Sequence, residues 1–265
     1  MKEGRKKTVW ITGASSGIGE ACAYAYAAQK CTVILTATSV EKLENVAAKC
    51  RELGAEAFTL PYDLRNLDGV DALVENAWKA TKKIDILFCN AGISQRTTVE
   101  DTDMKMFETI MDINFYAPVL MAKAILPRMI AAGGGHIAAT TSIAGRFGFP
   151  LRCAYSSSKH ALYGFFETLQ AEYVSQNIHT TLVCPGRVQT NISVNALDKN
   201  GLRHGEMDPG QANGITAEKA ARKIVRAIQN KKREVLVGGK ELTMVYIKRF
   251  FPNLCARLAT KIKPC

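Results

Sequence analysis

The chain has 265 residues, 47% of them hydrophobic, which suits a single α/β domain with a sizeable core. Its net charge of +11 is gathered at one end: from Glu218 onward thirteen Lys/Arg stand against three Glu, the rest is near neutral, and a basic tail on a neutral body excludes a nucleic-acid-binding core. Eight scattered cysteines with no CxxC pair and no Cys/His cluster exclude a zinc site, and with no eighteen-residue apolar run and no apolar stretch after MKEGRKK a cytoplasmic protein with reduced thiols is expected.

In chain order, short β-branched apolar runs alternate with longer amphipathic segments. Strands are predicted at Thr8–Thr12, Thr32–Thr36, Ala57–Tyr62, Ile84–Cys89, His136–Thr141 and His179–Cys184. Helices are predicted at Gly17–Gln29, Val40–Leu53, Asp68–Ala80, Met104–Ala132 and Ala154–Asn177, with another from about Ala217 before a seventh strand at Glu234–Val237. That alternation predicts a doubly wound parallel sheet, a Rossmann-type α/β fold, with helices on both faces. Residues 1–240 are expected to form the catalytic domain and 241–265 a basic amphipathic extension. One long irregular stretch, Val188–Gly214, has the length of a loop over a substrate site.

The first strand runs directly into TGASSGIG. Gly13 would allow a tight turn, Gly17 close approach of a ligand to the backbone, and Gly19 packing of helix against strand, while the first N–H groups of the helix, with Ser15, Ser16 and Ile18 around them, would face a pyrophosphate. The spacing Gly-x-x-x-Gly-x-Gly differs from the commonest dinucleotide motif, and taken alone it also fits a plain strand-to-helix turn. Further on come Asp63-Leu64 after the third strand, Asn90-Ala91-Gly92 closing the fourth, Asn114 within a long helix, Ser142 after the fifth strand, Tyr155 and Lys159 one helical turn apart, and Pro185-Gly186 closing the sixth. Most of these fall at the carboxyl ends of strands, where ligands bind in open α/β sheets.

These elements, in this order and spacing, resemble the short-chain dehydrogenases/reductases over essentially the whole chain to about residue 240. The resemblance implies Tyr155 as general acid/base, Lys159 as its cationic neighbour and holder of the nicotinamide ribose, and Ser142 as the hydroxyl orienting a substrate carbonyl. It assigns Asn114 to a helix kink that supports a proton relay. It implies that Asp63 meets adenine, that Asn90, Ala91 and Gly92 line the adenosine ribose, and that Pro185, Gly186, Val188 and Thr190 meet the nicotinamide. Asp63 has a second reading from the residues alone, as the cap of the next helix. Chemically, a phenol near pKa 10 needs a nearby cation to act at neutral pH, and a fixed hydroxyl stabilises an oxygen that gains charge in the transition state.

Ala37 ends the second strand where a carboxylate would select NAD, so NADP(H) is the expected cofactor and NAD(H) the alternative. Thr38 stands where NADP-preferring relatives often carry arginine, and Thr38, Ser39 and Lys42 would receive the 2′-phosphate. The expected partner is a small-molecule carbonyl/alcohol substrate, lipid- or steroid-like, with a 3-oxoacyl carrier chain or non-catalytic nicotinamide binding as the other readings. A homodimer or homotetramer is expected through the helices around 104–132 and 154–177. In the tail, Leu254, Leu258 and Ile262 recur beside Arg257, Lys261 and Lys263, the pattern of a helix either at an anionic membrane surface or packed on the subunit.

Overall fold

A computed structural model describes residues 6–262; residues 1–5 and Lys263 of the predicted tail stripe lie outside the described residues. Seven strands, all parallel, form one sheet in the order β3-β2-β1-β4-β5-β6-β7. They are β1 (Thr8–Thr12), β2 (Thr32–Thr36), β3 (Ala57–Thr59), β4 (Ile86–Cys89), β5 (Gly135–Thr140), β6 (Ile178–Pro185) and β7 (Glu234–Val237). The order reverses between β3-β2-β1 and β4 onward, which opens a crevice at the carboxyl ends of β1 and β4.

The two-residue side-chain period of β1 divides the core. Val9 and Ile11 face one layer with α1 (Gly17–Ala27), α2 (Val40–Glu52) and α8 (Ala217–Gln229), where Cys22, Leu43 and Ile224 are buried. Trp10 faces the other, with α3 (Val70–Thr81), α5 (Ala117–Ala131) and α6 (Cys153–Tyr173), where Val74, Met121 and Phe166 are buried.

Three predicted elements differ. The third strand ladder stops at Thr59, although Leu60 and Tyr62 still donate to the backbone of β2 and the residue after it on either side of Pro61, which has no N–H of its own. The helix predicted over 104–132 is interrupted where the resemblance implied a kink at Asn114: α4 (Met104–Met111) passes through a π-turn at Asp112–Tyr116 before α5. The segment Met104–Ala131 is apolar enough by length and composition to cross a membrane, but Ile110, Met121, Ile125 and Met129 are buried in the fold.

The third difference is the tail, which forms α9 (Thr243–Phe250) and α10 (Pro252–Ala259). Its predicted stripe is divided. Cys255, with Ala259 and Ile262, packs against Ile143, Phe147 and Cys184, whereas Leu254 is exposed together with Tyr246, Phe250 and Phe251. The second helix starts at Pro252, and the inner face of this segment is carried by Cys255, Ala259 and Ile262, one residue out of step with the predicted Leu254 and Leu258. Between α6 and β7, residues 188–214 hold only the short α7 (Pro209–Ala212) and are otherwise irregular.

Candidate active site

Gly13 takes φ +63° and turns the chain out of β1; a Cβ there would lie 2.8 Å from the Ala91 Cα. Gly17 also needs a positive φ, +59°, and a Cβ on it would meet Thr190 at 3.0 Å. Gly19 lies beneath the cleft and does not line it: its Cβ would sit 2.2 Å from the Gly13 carbonyl oxygen, so it lets α1 rest on the turn. Ser16, in extended conformation, precedes α1 without a side-chain capping bond, leaving its hydroxyl and the first N–H groups of the helix facing the cleft. Ser15 and Ile18 line the same wall.

Asn90 ties the strand ends together. Its backbone N–H and that of Ala91 donate to the Thr12 hydroxyl at 3.0 and 3.1 Å, its amide donates to the Thr12 carbonyl at 3.2 Å, and Thr140 donates to its Oδ1 at 3.1 Å. Gly92 backs onto Asn114 and Lys159: a Cβ there would fall 3.0 Å from Asn114 Oδ1 and 3.2 Å from Lys159 Nζ. Asn114 lies in the π-turn, fully buried, with Oδ1 accepting from the Ile93 N–H and Nδ2 donating to the Ile93 carbonyl at 2.9 Å and to Ser158 at 3.0 Å. The helix widening gives this polar side chain its partners.

Together these residues wall a cleft of about 990 Å³, which Thr38, Asp63, Leu64, Asn90, Ala91, Pro185, Gly186, Val188 and Thr190 also line. Ser39 is elsewhere engaged, accepting from the Lys42 N–H as the cap of α2. Asp63 does not cap α3, which starts after Gly69; it binds Arg65, whose hydrogen bonds hold its carboxyl below the usual value.

At the centre, Ser142 and Tyr155 line the cleft together, and the Ser142 hydroxyl accepts from the Ala144 N–H at 3.1 Å. Burial raises the Tyr155 pKa, while Ser142 and the guanidiniums of Arg152 and Arg96 act to lower it. Lys159 Nζ donates to the Thr140 carbonyl at 2.8 Å and lies 5.7 Å from the centre of the Tyr155 ring. Burial pulls its pKa down to about 7. A hydroxyl and a phenol side by side over a buried amine can polarise a carbonyl and transfer a proton to its oxygen.

Sequence reasoning missed Arg96, Arg152 and Glu241. Arg152 is three positions before Tyr155 and Arg96 four beyond Gly92, so basic residues flanking the motifs were the available signal. Glu241, from the tail, accepts from the N–H groups of Arg187 at 2.7 Å and Gly239 at 2.9 Å beneath Gly186, and only folding brings it there.

The glycine cradle, whose floor a Cβ would fill, and the helix N-terminus above it fit a dinucleotide. The short chain dehydrogenase family model matches residues 7–201. Dehydrogenase/reductase SDR family member 7B of Xenopus tropicalis is 36% identical over 93% of this chain and 82% of its own length. A dehydrogenase/reductase SDR family protein 7-like of Anopheles gambiae is 38% identical over 90% and 78%. Among solved structures, the Thermococcus sibiricus alcohol dehydrogenase complexed with 5-hydroxy-NADP superposes with TM-score 0.76 at 25% identity, covering 89% of this chain and 97% of that one. A Burkholderia phymatum short chain dehydrogenase/reductase in complex with NAD gives 0.84 at 24%, covering 96% of both chains.

Proposed function

The chain belongs to the short-chain dehydrogenase family and is an NAD(P)-dependent oxidoreductase; on that premise we propose that it interconverts a ketone and a secondary alcohol, with NADP(H) preferred and Tyr155 as the general acid in reduction. The observation that carries this reading is the Ser142–Tyr155 hydroxyl pair set on the cleft wall beside buried Lys159. Ser142 donates to the substrate carbonyl oxygen, Tyr155 gives that oxygen its phenolic proton, and Arg152 and Arg96 stabilise the phenolate left behind. A reduced nicotinamide, when bound, supplies the hydride. Gly13, Ser16, Gly17 and the α1 N-terminus hold the pyrophosphate, Asp63 and Leu64 flank the adenine, Asn90 to Gly92 the ribose, and Pro185 to Thr190 the nicotinamide.

The cofactor preference rests on Ala37 and Thr38, which line the cleft and put no carboxylate at the end of β2; Arg65, paired with Asp63, lies on the same cleft lining. NADPH should bind more tightly than NADH and be oxidised in the presence of ketones, and Ala37→Asp should move the preference toward NADH. Tighter binding of NADH by the wild type would overturn the cofactor assignment, and a cofactor-bound protein that turns over no ketone would overturn the reductase reading.

A homo-oligomer paired through α4–α5 and α6 is part of this proposal, with Tyr116 among the exposed apolar side chains on that side; sedimentation of the pure protein checks it. So is a peripheral contact of the tail with anionic lipid, supported by exposed Tyr246, Phe250, Phe251 and Leu254 interleaved with Lys248, Arg249 and Arg257. Such a helix buries its apolar side chains at the interface while its bases meet the headgroups. Replacing Phe250 and Phe251 together by Ser should release the protein from phosphatidylserine vesicles in low salt.

A further inference from the structure

Three chain segments that are distant in sequence meet beside Tyr155. Thr97 bridges to Arg152 and Gln95 to Leu197, while the Thr97 N–H donates to the Leu151 carbonyl at 3.3 Å and the Arg96 N–H to the Leu197 carbonyl at 2.8 Å. Leu151 is held at φ +60°, a left-handed conformation that a branched side chain adopts only when its surroundings impose it. This stapling brings two guanidiniums to one place on the cleft wall. The Arg96 side chain is 3% exposed and that of Arg152 19%.

Their common acid is Asp208, whose Oδ2 lies 3.8 Å from Arg96 and 3.5 Å from Arg152. Its Oδ1 is committed to the N–H groups of Gly210 at 2.8 Å and Gln211 at 3.3 Å, the start of α7. Arg152 is therefore incompletely matched: its Nε is buried with no hydrogen-bond partner among the described residues, and a third cation, Arg187, acts on it unfavourably. A buried guanidinium donor left unsatisfied is costly unless a ligand completes it. Lys105, Lys199 and Arg203 also line the cleft, against Asp103, and this net positive lining favours anions.

We propose that Arg152, with Arg96 behind it, anchors an oxyanion carried by the substrate, so that the ketone reduced here bears a carboxylate or phosphate. The inference rests on the reductase reading for the carbonyl and on these arginines for the anion. Asp208 faces Nη2 of each arginine, and the Arg152 Nε–H, buried without a partner among the described residues, is the donor left for such a group to complete. An anion there fixes the carbonyl against Ser142 and Tyr155, since both arginines already act on the Tyr155 phenol.

Calorimetric titration of the cofactor-bound protein with hexyl phosphate, hexanoate and hexanol tests the site without requiring turnover. One or both anions should bind at least about 10-fold more tightly than hexanol, and which anion leads separates phosphate from carboxylate. Arg152→Met should weaken the favoured anion by about 10- to 100-fold, with partial recovery in Arg152→Lys, which restores the charge without the fork. In a second arm, 4-oxopentanoate should be reduced with a higher kcat/KM than its methyl ester, and Arg152→Met should bring the ratio toward one.

Equal binding of hexanol and both anions by the wild type overturns the proposal, with no dependence on how a variant folds. So does undiminished anion binding in a folded Arg152→Met, or an equal loss for acid and ester, the result expected if Arg152 only braces the loop. Anion binding through Arg152 with no ketone reduced would leave the anchor standing and sink the reductase reading; ketone reduction indifferent to the anion would do the reverse.

Discussion

On the side of the cleft formed by the ends of β1 and β4, the wall is backbone and small side chains: Gly13 leaves no room for a Cβ, Gly17 and Gly92 leave little, and Thr12 and Asn90 close the strand ends with hydrogen bonds. On the side beyond β5 and β6, long side chains from remote segments make the wall. Arg96, Arg152 and Asp208 come from three loops, and Glu241 reaches back from the tail to hold Arg187 and Gly239. The first wall suits a ligand part common to every reaction of this kind, since a backbone cradle tolerates little variation. The second can be rebuilt one side chain at a time, which is how one fold serves many substrates.

The largest effect is expected where the two walls meet. Tyr155→Phe should lower the rate of ketone reduction by about 10²- to 10⁴-fold with NADPH binding retained, as single-turnover kinetics and a cofactor titration would check; an unimpaired rate would remove the proton donor from the junction. Next, Gly19→Ala should damage the backbone wall. The added Cβ meets the Gly13 carbonyl oxygen, and such overpacking costs about 1–3 kcal/mol, read as a lower denaturant midpoint together with weaker cofactor binding.

The second wall should respond to Glu241→Ala through stability and the nicotinamide loop. Two backbone N–H groups lose a charged acceptor, a loss of about 1–2 kcal/mol, visible in denaturant unfolding and in a raised KM for the cofactor. A smaller effect tests Lys159, which both walls enclose. Its folded pKa near 7 lies below the 10.5 of the free side chain, so between those values the unfolded chain binds the additional proton and stability rises with pH. Below pH 7 the penalty is fully present and the slope vanishes. From pH 7 to 8.5 Lys159 should contribute about 1 kcal/mol per pH unit in the cofactor-free protein. The buried thiols, raised in the fold, oppose it in wild type and Lys159→Met alike, so the difference in slope between the two isolates the Lys159 contribution.

The difference between the walls also explains what could be read in advance. Glycines at fixed spacing behind a buried strand announce a turn because φ and close approach are local demands; Gly13 and Gly17 meet them with their own backbone. The spacing of Tyr155 and Lys159 placed both on one helix face, and only the resemblance of the surrounding motifs gave the pair a role. The kink at Asn114 was expected from the resemblance, and a π-turn stands there; what MDINFYAP does not encode is its partners, the distant Ile93 backbone and Ser158 that satisfy the buried amide. The tail stripe was misplaced for a similar reason. Within α10 the apolar surface of Ile143, Phe147 and Cys184 selects Cys255 as the inward residue in place of Leu254, and that surface comes from remote segments.

By itself the amino-acid sequence determined the alternation of strands and helices, the parallel sheet that alternation requires, and the position of every motif but the two helical ones at a strand's carboxyl end, because hydrophobic period and turn chemistry act within a few residues. Only the tertiary structure decided which charges stand beside Tyr155, how far burial lowers the Lys159 pKa, and that Glu241 of the tail supports the loop after β6. Those depend on the distances and the loss of water that arise when residues 96, 152, 208 and 241 are brought to one cleft, and no local pattern along the chain encodes them.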